Sequence, residues 1–351
     1  MHEAATDQEN RYSRAQGALL GLAFGDAITH SSMQRTRFAT PMWMERILGR
    51  ILANDRANNI DRFVVPFIMN RDPDVLLMSP SSRSEWAAFS AQLLIEADGE
   101  LSLGFVGDYW VRHILPNKDN VRSGIAERSA ILNLSKGLQP PMSGNDNPHF
   151  YDDGAISRAV VVGIRFSRDP DKAAQNSRIE AMVSHKEDGV WAAMAMASAI
   201  ACLVDGGSCT EAVDWAIRYF PQGSWIKQQW DLVCTVDLKQ DPLDLLLELD
   251  NSVVDKTYSY ANLAPQTLPI ALFLFKKMSD SFRQGIALAN CLARVSDSVV
   301  PFVGALLGAK NGAKVISGNW KSRLSPLRGT FVPKVAGADL ADLATRLMEG
   351  D

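Results

Sequence analysis

Apolar residues recur with the period of an α-helix along most of the chain. From Arg14 to Phe24, Ala15, Ala18, Leu19, Leu22 and Ala23 mark one helical face, while Gly17, Gly21 and Gly25 lie four apart on another. Such a glycine stripe lets a second backbone approach closely; the segment is too short to be a dimerising membrane span, so it predicts tight packing in a protein core. Ser84 to Ala97 forms a second helix with Trp86, Phe89, Leu93 and Leu94 on one side, and Ser82 and Glu85 have the spacing of a capping box at its start. Val190 to Val204 is an alanine-rich helix stopped by Gly206-Gly207. Thr210 to Tyr219, Pro242 to Leu249, Leu268 to Met278, Phe282 to Ala293 and Ser298 to Lys310 add five more, with Pro301 in the first turn of the last. Arg158 to Phe166 reads as strand or buried helix.

The strand-like runs, Phe63 to Met69 and Val160 to Ile164, do not alternate with helices, which argues against a doubly wound sheet. Leu138 to His149 is a loop by composition, but the same helical pattern resumes after it, so it is a weak boundary. The expected organisation is a disordered segment over 1–13, one helical domain over 14–332, and a peripheral C-terminal helix or tail over 333–351.

Composition narrows the chemistry. The chain has 351 residues, is 46% hydrophobic and 22% charged, and carries a net charge of -4, so nothing advertises nucleic-acid or anionic-membrane binding. Its four cysteines and five histidines form no Cys-x-x-Cys or His-Glu-x-x-His pattern, which disfavours structural zinc, a disulfide scaffold and zincin chemistry. The cysteines read as small core residues. The polar start lacks the apolar core of a signal peptide, and sparse cysteines point to a cytoplasmic setting. The 40 acidic residues make carboxylates the expected carriers of ionic or hydrolytic chemistry.

Four loop-to-helix junctions stand out: the glycine-rich helix ending at Asp26, the run Tyr151-Asp152-Asp153-Gly154-Ala155-Ile156-Ser157-Arg158, the pair Ser184-His185, and Val295-Ser296-Asp297-Ser298 leading to Gly304–Ala309. With Thr267-Leu268-Pro269-Ile270-Ala271, this ordered set resembles the ADP-ribosylglycohydrolase family from about Arg14 to Trp320. The family's Gly-Ala-Leu-Leu-Gly-x-Ala-x-Gly-Asp-Ala element matches Gly17 to Ala27, and its Gly-Ala-x-x-Arg element matches Gly154, Ala155 and Arg158. The resemblance implies an all-α fold, a single-domain orthogonal helical bundle, and a hydrolase of ribosyl linkages.

It also implies two magnesium ions held by a Thr-Asp-Asp-Thr run and an Asp-x-Asp-Thr/Ser run, and here the chain departs from the pattern. The first run reads Ser81-Ser82-Arg83-Ser84, and the second keeps only Asp297, with Val295 where the first aspartate belongs. Magnesium needs hard oxygen ligands anchored by carboxylates. The expectation is therefore no metal and no other cofactor, with Arg83 turned toward Asp297 in the metals' stead. The catalytic candidates are Asp153 first, then Asp152, Asp297 and Asp26, because carboxylates stabilise an oxocarbenium-like transition state and activate water. Arg83, Ser82, Ser84, Gly154, Ala155, His185, Ser296 and Ser298 are the expected substrate contacts. Their bland alternatives are helix caps, a solvated acidic turn and a packed histidine; Trp43, Trp86, Trp110, Trp225 and Trp230 either stack a base or fill the core.

Two functions follow. One is a metal-independent glycohydrolase acting on an N- or O-ribosyl bond of a nucleoside, nucleotide or ADP-ribose-like small molecule. The other is a pseudoenzyme that binds an ADP-ribosyl or nucleotide ligand without turnover. Both take a small ribosyl-containing ligand, and neither calls for nucleic acid, membrane or a protein partner.

Overall fold

The glycine stripe of the first helix sets the centre of the molecule. In the computed structural model, which describes residues 2–36, 53, 57–59, 79–257 and 262–349, α1 (His2–Thr36) lies against the late helix Ser296–Asn311. A Cβ at Gly17 would fall 2.2 Å from the carbonyl oxygen of Gly308, one at Gly21 2.1 Å from that of Gly304, and one at Gly25 2.6 Å from Pro301. Contacts that ascend one helix while descending the other mean an antiparallel pair. The reciprocal distances, 1.9 Å from Gly308 to Gly17 and 2.2 Å from Gly304 to Gly21, put backbone directly on backbone. The contact therefore excludes every side chain, as the four-residue spacing predicts.

Around this pair the described residues form 16 α-helices and no strands. In order after α1 they are α2 (Ser82–Ala97), α3 (Leu103–His113), α4 (Ile125–Ser135), α5 (Met142–Asn145), α6 (Gly154–Arg165), α7 (Pro170–Ala181), α8 (Asp188–Val204), α9 (Cys209–Ile217), α10 (Trp225–Val233), α11 (Pro242–Ser252), α12 (Ala264–Lys277), α13 (Phe282–Asn290), α14 (Ser296–Asn311), α15 (Gly318–Leu324) and α16 (Leu340–Glu349). Alanine-rich α8 is buried along almost its whole length and packs on α6, α7 and α9. The ambiguous run at Arg158 is helix, α6: its Val and Ile side chains are buried, so it carries no exposed face to betray the helical period.

Several expectations are corrected. The segment read as disordered is helical from His2, and Arg11 is buried, donating to Ser167 Oγ at 2.8 Å and pairing with Asp205 at 3.3 Å. The tail read as peripheral ends in α16, whose Leu340, Leu343, Ala344, Leu347 and Met348 are buried against α1 and α2. Pro301 lies inside α14 rather than in its first turn. Cys202 and Cys291 are buried, but Cys209 is half-buried and Cys234 exposed. Trp86 and Trp110 stack in the core at 5.0 Å, Trp230 is buried, and Trp225 is exposed. Trp43 and the strand-like run Phe63 to Met69 lie outside the described residues.

The proposed capping box is absent. Ser81 is the N-cap of α2 and makes no side-chain cap bond to its own helix. The orphan N–H groups are satisfied from α1 instead. Asp26 accepts from the backbone N–H of Ser81 (2.7 Å) and of Ser84 (3.0 Å), and from both serine hydroxyls. Glu85, fully buried, turns the other way and accepts from the backbone N–H groups of Thr330, Phe331 and Val332 at 2.6–3.0 Å. Those three bonds hold Phe331 against the cavity described next.

Candidate functional site

Four helices begin at one place. The starts of α2, α4, α6 and α14 converge on a cavity of about 250 Å³ lined by Asp26, Thr29, Ser81, Ser82, Arg83, Trp86, Gly124, Glu127, Asp152, Asp153, Gly154, Ser157, Asn262, Asp297 and Phe331. The antiparallel α1–α14 pair brings Asp26 and Asp297 to the same end, and α2 carries Arg83 between them.

Arg83 is the hub. Its Nε donates to the carbonyl oxygen of Asp297 at 2.7 Å, and one terminal nitrogen donates to Asp153 Oδ1 at 3.0 Å and to Ser298 Oγ. The other terminal nitrogen lies 3.5 Å from Ser157 Oγ, and the guanidinium sits 5.0 Å from the centre of the Phe302 ring. The expected turn of Arg83 toward Asp297 is present, but the bond goes to the main chain. The cause is Pro301: four residues on, it has no N–H to offer the Asp297 carbonyl, which accepts from Arg83. Burial opposes the guanidinium's charge, yet Asp153, Asp297 and Asp26 outweigh it and raise its pKa above the ordinary arginine value.

Asp153 is 1% exposed, held on one oxygen by Arg83 and on the other by Thr267 Oγ1 at 3.0 Å. That second bond explains the Thr-Leu-Pro element: it lies in the first turn of α12 and aims a hydroxyl at α6. Asp152 Oδ1 accepts the Gly154 N–H at 2.7 Å, while its main chain bridges to Leu263. Asp297 is half-buried and is one of the residues that line the cavity. Asp26 reaches the wall too, but four donors already occupy its carboxylate, which makes it a helix cap rather than a free acid.

Among the expected substrate contacts, Arg83, Ser82 and Gly154 line the cavity. The others stand outside the lining set. Ser84 Oγ bonds Asp26, Ser296 Oγ bonds the Ala293 carbonyl, Ser298 Oγ accepts from Arg83, and Ala155 is packed in the core. His185 is fully buried behind Asp152, with Nδ1 2.8 Å from Ser184 Oγ and Nε2 3.9 Å from Asp152 Oδ1.

Burial, the largest effect, lowers the His185 pKa to about 4 although Glu127 draws it up, so the ring is neutral near pH 7. In the unfolded chain the ring protonates near 6.5, so its contribution to stability is complete above that pH and is lost as pH falls toward 4. The loss is about 3 kcal/mol. Urea unfolding of wild type against His185→Gln, compared at pH 7 and pH 4.5, should show the difference between them shrink at the lower pH.

Glu127 was not singled out from sequence. It is the third residue of α4, buried, and accepts from Arg158 at 2.8 Å. Burial, then the nearby Asp152, pushes its carboxyl pKa up. Arg158, at the end of the Gly-Ala-x-x-Arg element, also bonds Glu180 at 2.8 Å and Ser184 Oγ at 2.7 Å, so it serves the wall from behind.

The chain matches the ADP-ribosylglycohydrolase family over residues 7–351. A solved structure described as an ADP-ribosylglycohydrolase-related protein complex is similar over 97% of this chain and 99% of that one, with a TM-score of 0.65 and 20% identity, which shows the shared fold. No curated protein matches. By a match that spans nearly its whole length, this chain belongs to the ADP-ribosylglycohydrolase family.

Proposed function

We propose that this protein hydrolyses a ribosyl linkage of a nucleoside, nucleotide or ADP-ribose-like small molecule without a divalent metal. One observation carries the reading: the Arg83 guanidinium occupies the junction of α2, α6 and α14, where it takes up an oxygen of Asp153, the Ser298 hydroxyl and the Asp297 carbonyl. The family's magnesium ions would draw their ligands from the two runs that meet there. With a fixed cation among them, and with Ser82 and Val295 in place of aspartates, the donors do not suit the ions. Among the described residues, no group of three or more His, Cys, Asp or Glu is placed to hold a metal.

Arg83 supplies a permanent positive charge that orients Asp153 and binds anionic or hydroxyl groups of the ligand by charge-assisted hydrogen bonds. Asp297, on the wall and half-buried, is the carboxylate best placed to take a proton from attacking water. Asp153 and Asp152 contribute negative field beside the ribosyl carbon, where positive charge grows in the transition state.

The locking of Asp153, with both oxygens bonded and 1% exposure, favours a second reading, a pseudoenzyme that binds such ligands without turnover. One assay separates them. NAD, ADP-ribose, ribosylated arginine and a nucleoside panel are incubated with the protein in EDTA and followed by mass spectrometry. Turnover that survives chelation and falls at least a hundredfold in Asp297→Asn supports the enzyme. Calorimetric binding without turnover supports the pseudoenzyme, and turnover abolished by EDTA refutes metal independence.

A further inference from the structure

A buried cluster whose charges do not balance forms one wall of the cavity and the layer behind it. Arg158, fully buried, is within 2.8 Å of both Glu127 and Glu180. Asp152 is 2% exposed on the same wall, and His185 beside it is neutral near pH 7. Arg83 is engaged with Asp153. One guanidinium thus faces three carboxyl groups that are almost fully buried, Glu127 and Asp152 at the cavity wall and Glu180 behind it. A low-dielectric interior does not hold two uncompensated negative charges so close together, so the cluster keeps a proton.

The hydrogen bonds say where that proton sits. Glu180 Oε1 accepts from both Arg158 Nε and Ser90 Oγ at 2.7–2.8 Å, which stabilises its anion. Asp152 Oδ1 accepts the Gly154 N–H, which stabilises that one. The Glu127 carboxyl accepts from Arg158, which it shares with Glu180, and from its own backbone N–H. Its place in the first turn of α4 favours the anion, but burial and the facing Asp152 overcome this and raise its pKa. The groups facing Glu127 are therefore Arg158 from α6, Asp152 and His185, and the cavity.

Glycine at 154 makes the arrangement possible. A Cβ there would lie 2.1 Å from Glu127 Oε1 and 3.0 Å from Oε2, so the carboxyl rests flat on the start of α6 only because that residue has no side chain.

We propose that Glu127 is the general acid of this site: a carboxyl that carries its proton into the cavity and delivers it to the departing group. The inference rests on the hydrolytic reading above. As the C1′–heteroatom bond of the ribosyl substrate breaks, its electron pair goes to the heteroatom, which takes the Glu127 proton. Water adds at C1′ and gives its proton to Asp297, and after product release Asp297 returns that proton to solvent while Glu127 takes one up. The sum is one water consumed, with one free ribosyl hydroxyl and one protonated aglycone formed.

The test is Glu127→Gln, a near-isosteric change, on two substrates of one ribosyl group: 4-nitrophenyl riboside, whose leaving group departs as an anion, and an adenine nucleoside, whose leaving group needs a proton. The expected loss is a hundredfold or more in kcat on the nucleoside and under fivefold on the nitrophenyl riboside, with the fall in activity that accompanies ionisation of Glu127 gone. Equal losses on both would overturn the assignment. Infrared difference spectra of wild type minus Glu127→Gln at pH 7 provide a readout that needs no turnover: a protonated-carboxyl stretch belonging to Glu127, shifted by ADP-ribose, is expected. If no substrate turns over but the band is present and shifts, the hydrolytic reading falls with the delivery step, and what stands is a Glu127 carboxyl that holds a proton toward the bound ligand. If the band is missing, the assignment falls whatever the activity.

Discussion

Arg83→Met should cost the fold about 3–5 kcal/mol and abolish ligand binding at the cavity. The side chain is well buried, and removing it leaves Asp153, at 1% exposure, with Thr267 as its remaining side-chain partner in the network. An uncompensated buried carboxylate is far more costly than the pair's net worth. The same reasoning makes the loss recoverable. Arg83→Met combined with Asp153→Asn removes both charges and should restore more than half of the lost stability, while binding stays absent. Urea unfolding of the two single variants and the double variant measures the coupling directly. Additive losses would show that Arg83 and Asp153 do not act as a pair.

The second large effect is remote from the chemistry. Gly308→Ala should destabilise by about 3 kcal/mol, because its Cβ would fall 1.9 Å from the Gly17 carbonyl and nothing flexible lies there to give way. The helices α1 and α14 would have to separate, and they position Asp26 and Asp297 at the cavity and Ser298 against Arg83. Ligand affinity should therefore fall together with stability. Gly104→Ala in α3 is the control: nothing lies within 4 Å of that Cβ, so it should be neutral or slightly stabilising. Unfolding midpoints of both variants check the contrast.

These two residues also mark the limits of what the chain discloses unfolded. The glycine stripe was legible because the physics is local: three glycines four apart share a face, and only a close neighbour requires them. Arg83 was singled out because a cation stands in a run where the family resemblance implies a carboxylate, and the structure adds its bonds to Asp153, Ser298 and the Asp297 carbonyl. Glu85 misled because its spacing from Ser82 satisfies a local rule, whereas its partners, the N–H groups of residues 330–332, lie about 245 positions away. The glycine-rich helix is expected to end at Asp26, but α1 runs on to Thr36, and the Asp26 side chain accepts four bonds at the start of α2, a partner 55 positions away that no local pattern reveals.

Glu127 was invisible for a subtler reason. An acid in the first turn of a helix is what the helix dipole favours, so its position raises no question. Only the fold reveals that Gly154, Arg158 and Asp152 enclose it. His185 sits at a family-like position, yet it faces Asp152 from behind the wall, and spacing alone carries no information about which side of a wall a residue takes. Arg11 and α16 were misjudged because polar or amphipathic ends look peripheral until a partner surface exists, here α1, α2, Ser167 and Asp205.

The central claim is that a guanidinium stands where the family would place its ions. The most direct measurement is the metal content of the purified protein after equilibration with excess magnesium and manganese and removal of free ions, read by plasma mass spectrometry and paired with the same analysis of Ser82→Asp/Arg83→Asp. The account predicts well under one ion per chain for the wild type, and a gain on restoring the two carboxylates; two ions per wild-type chain would contradict it.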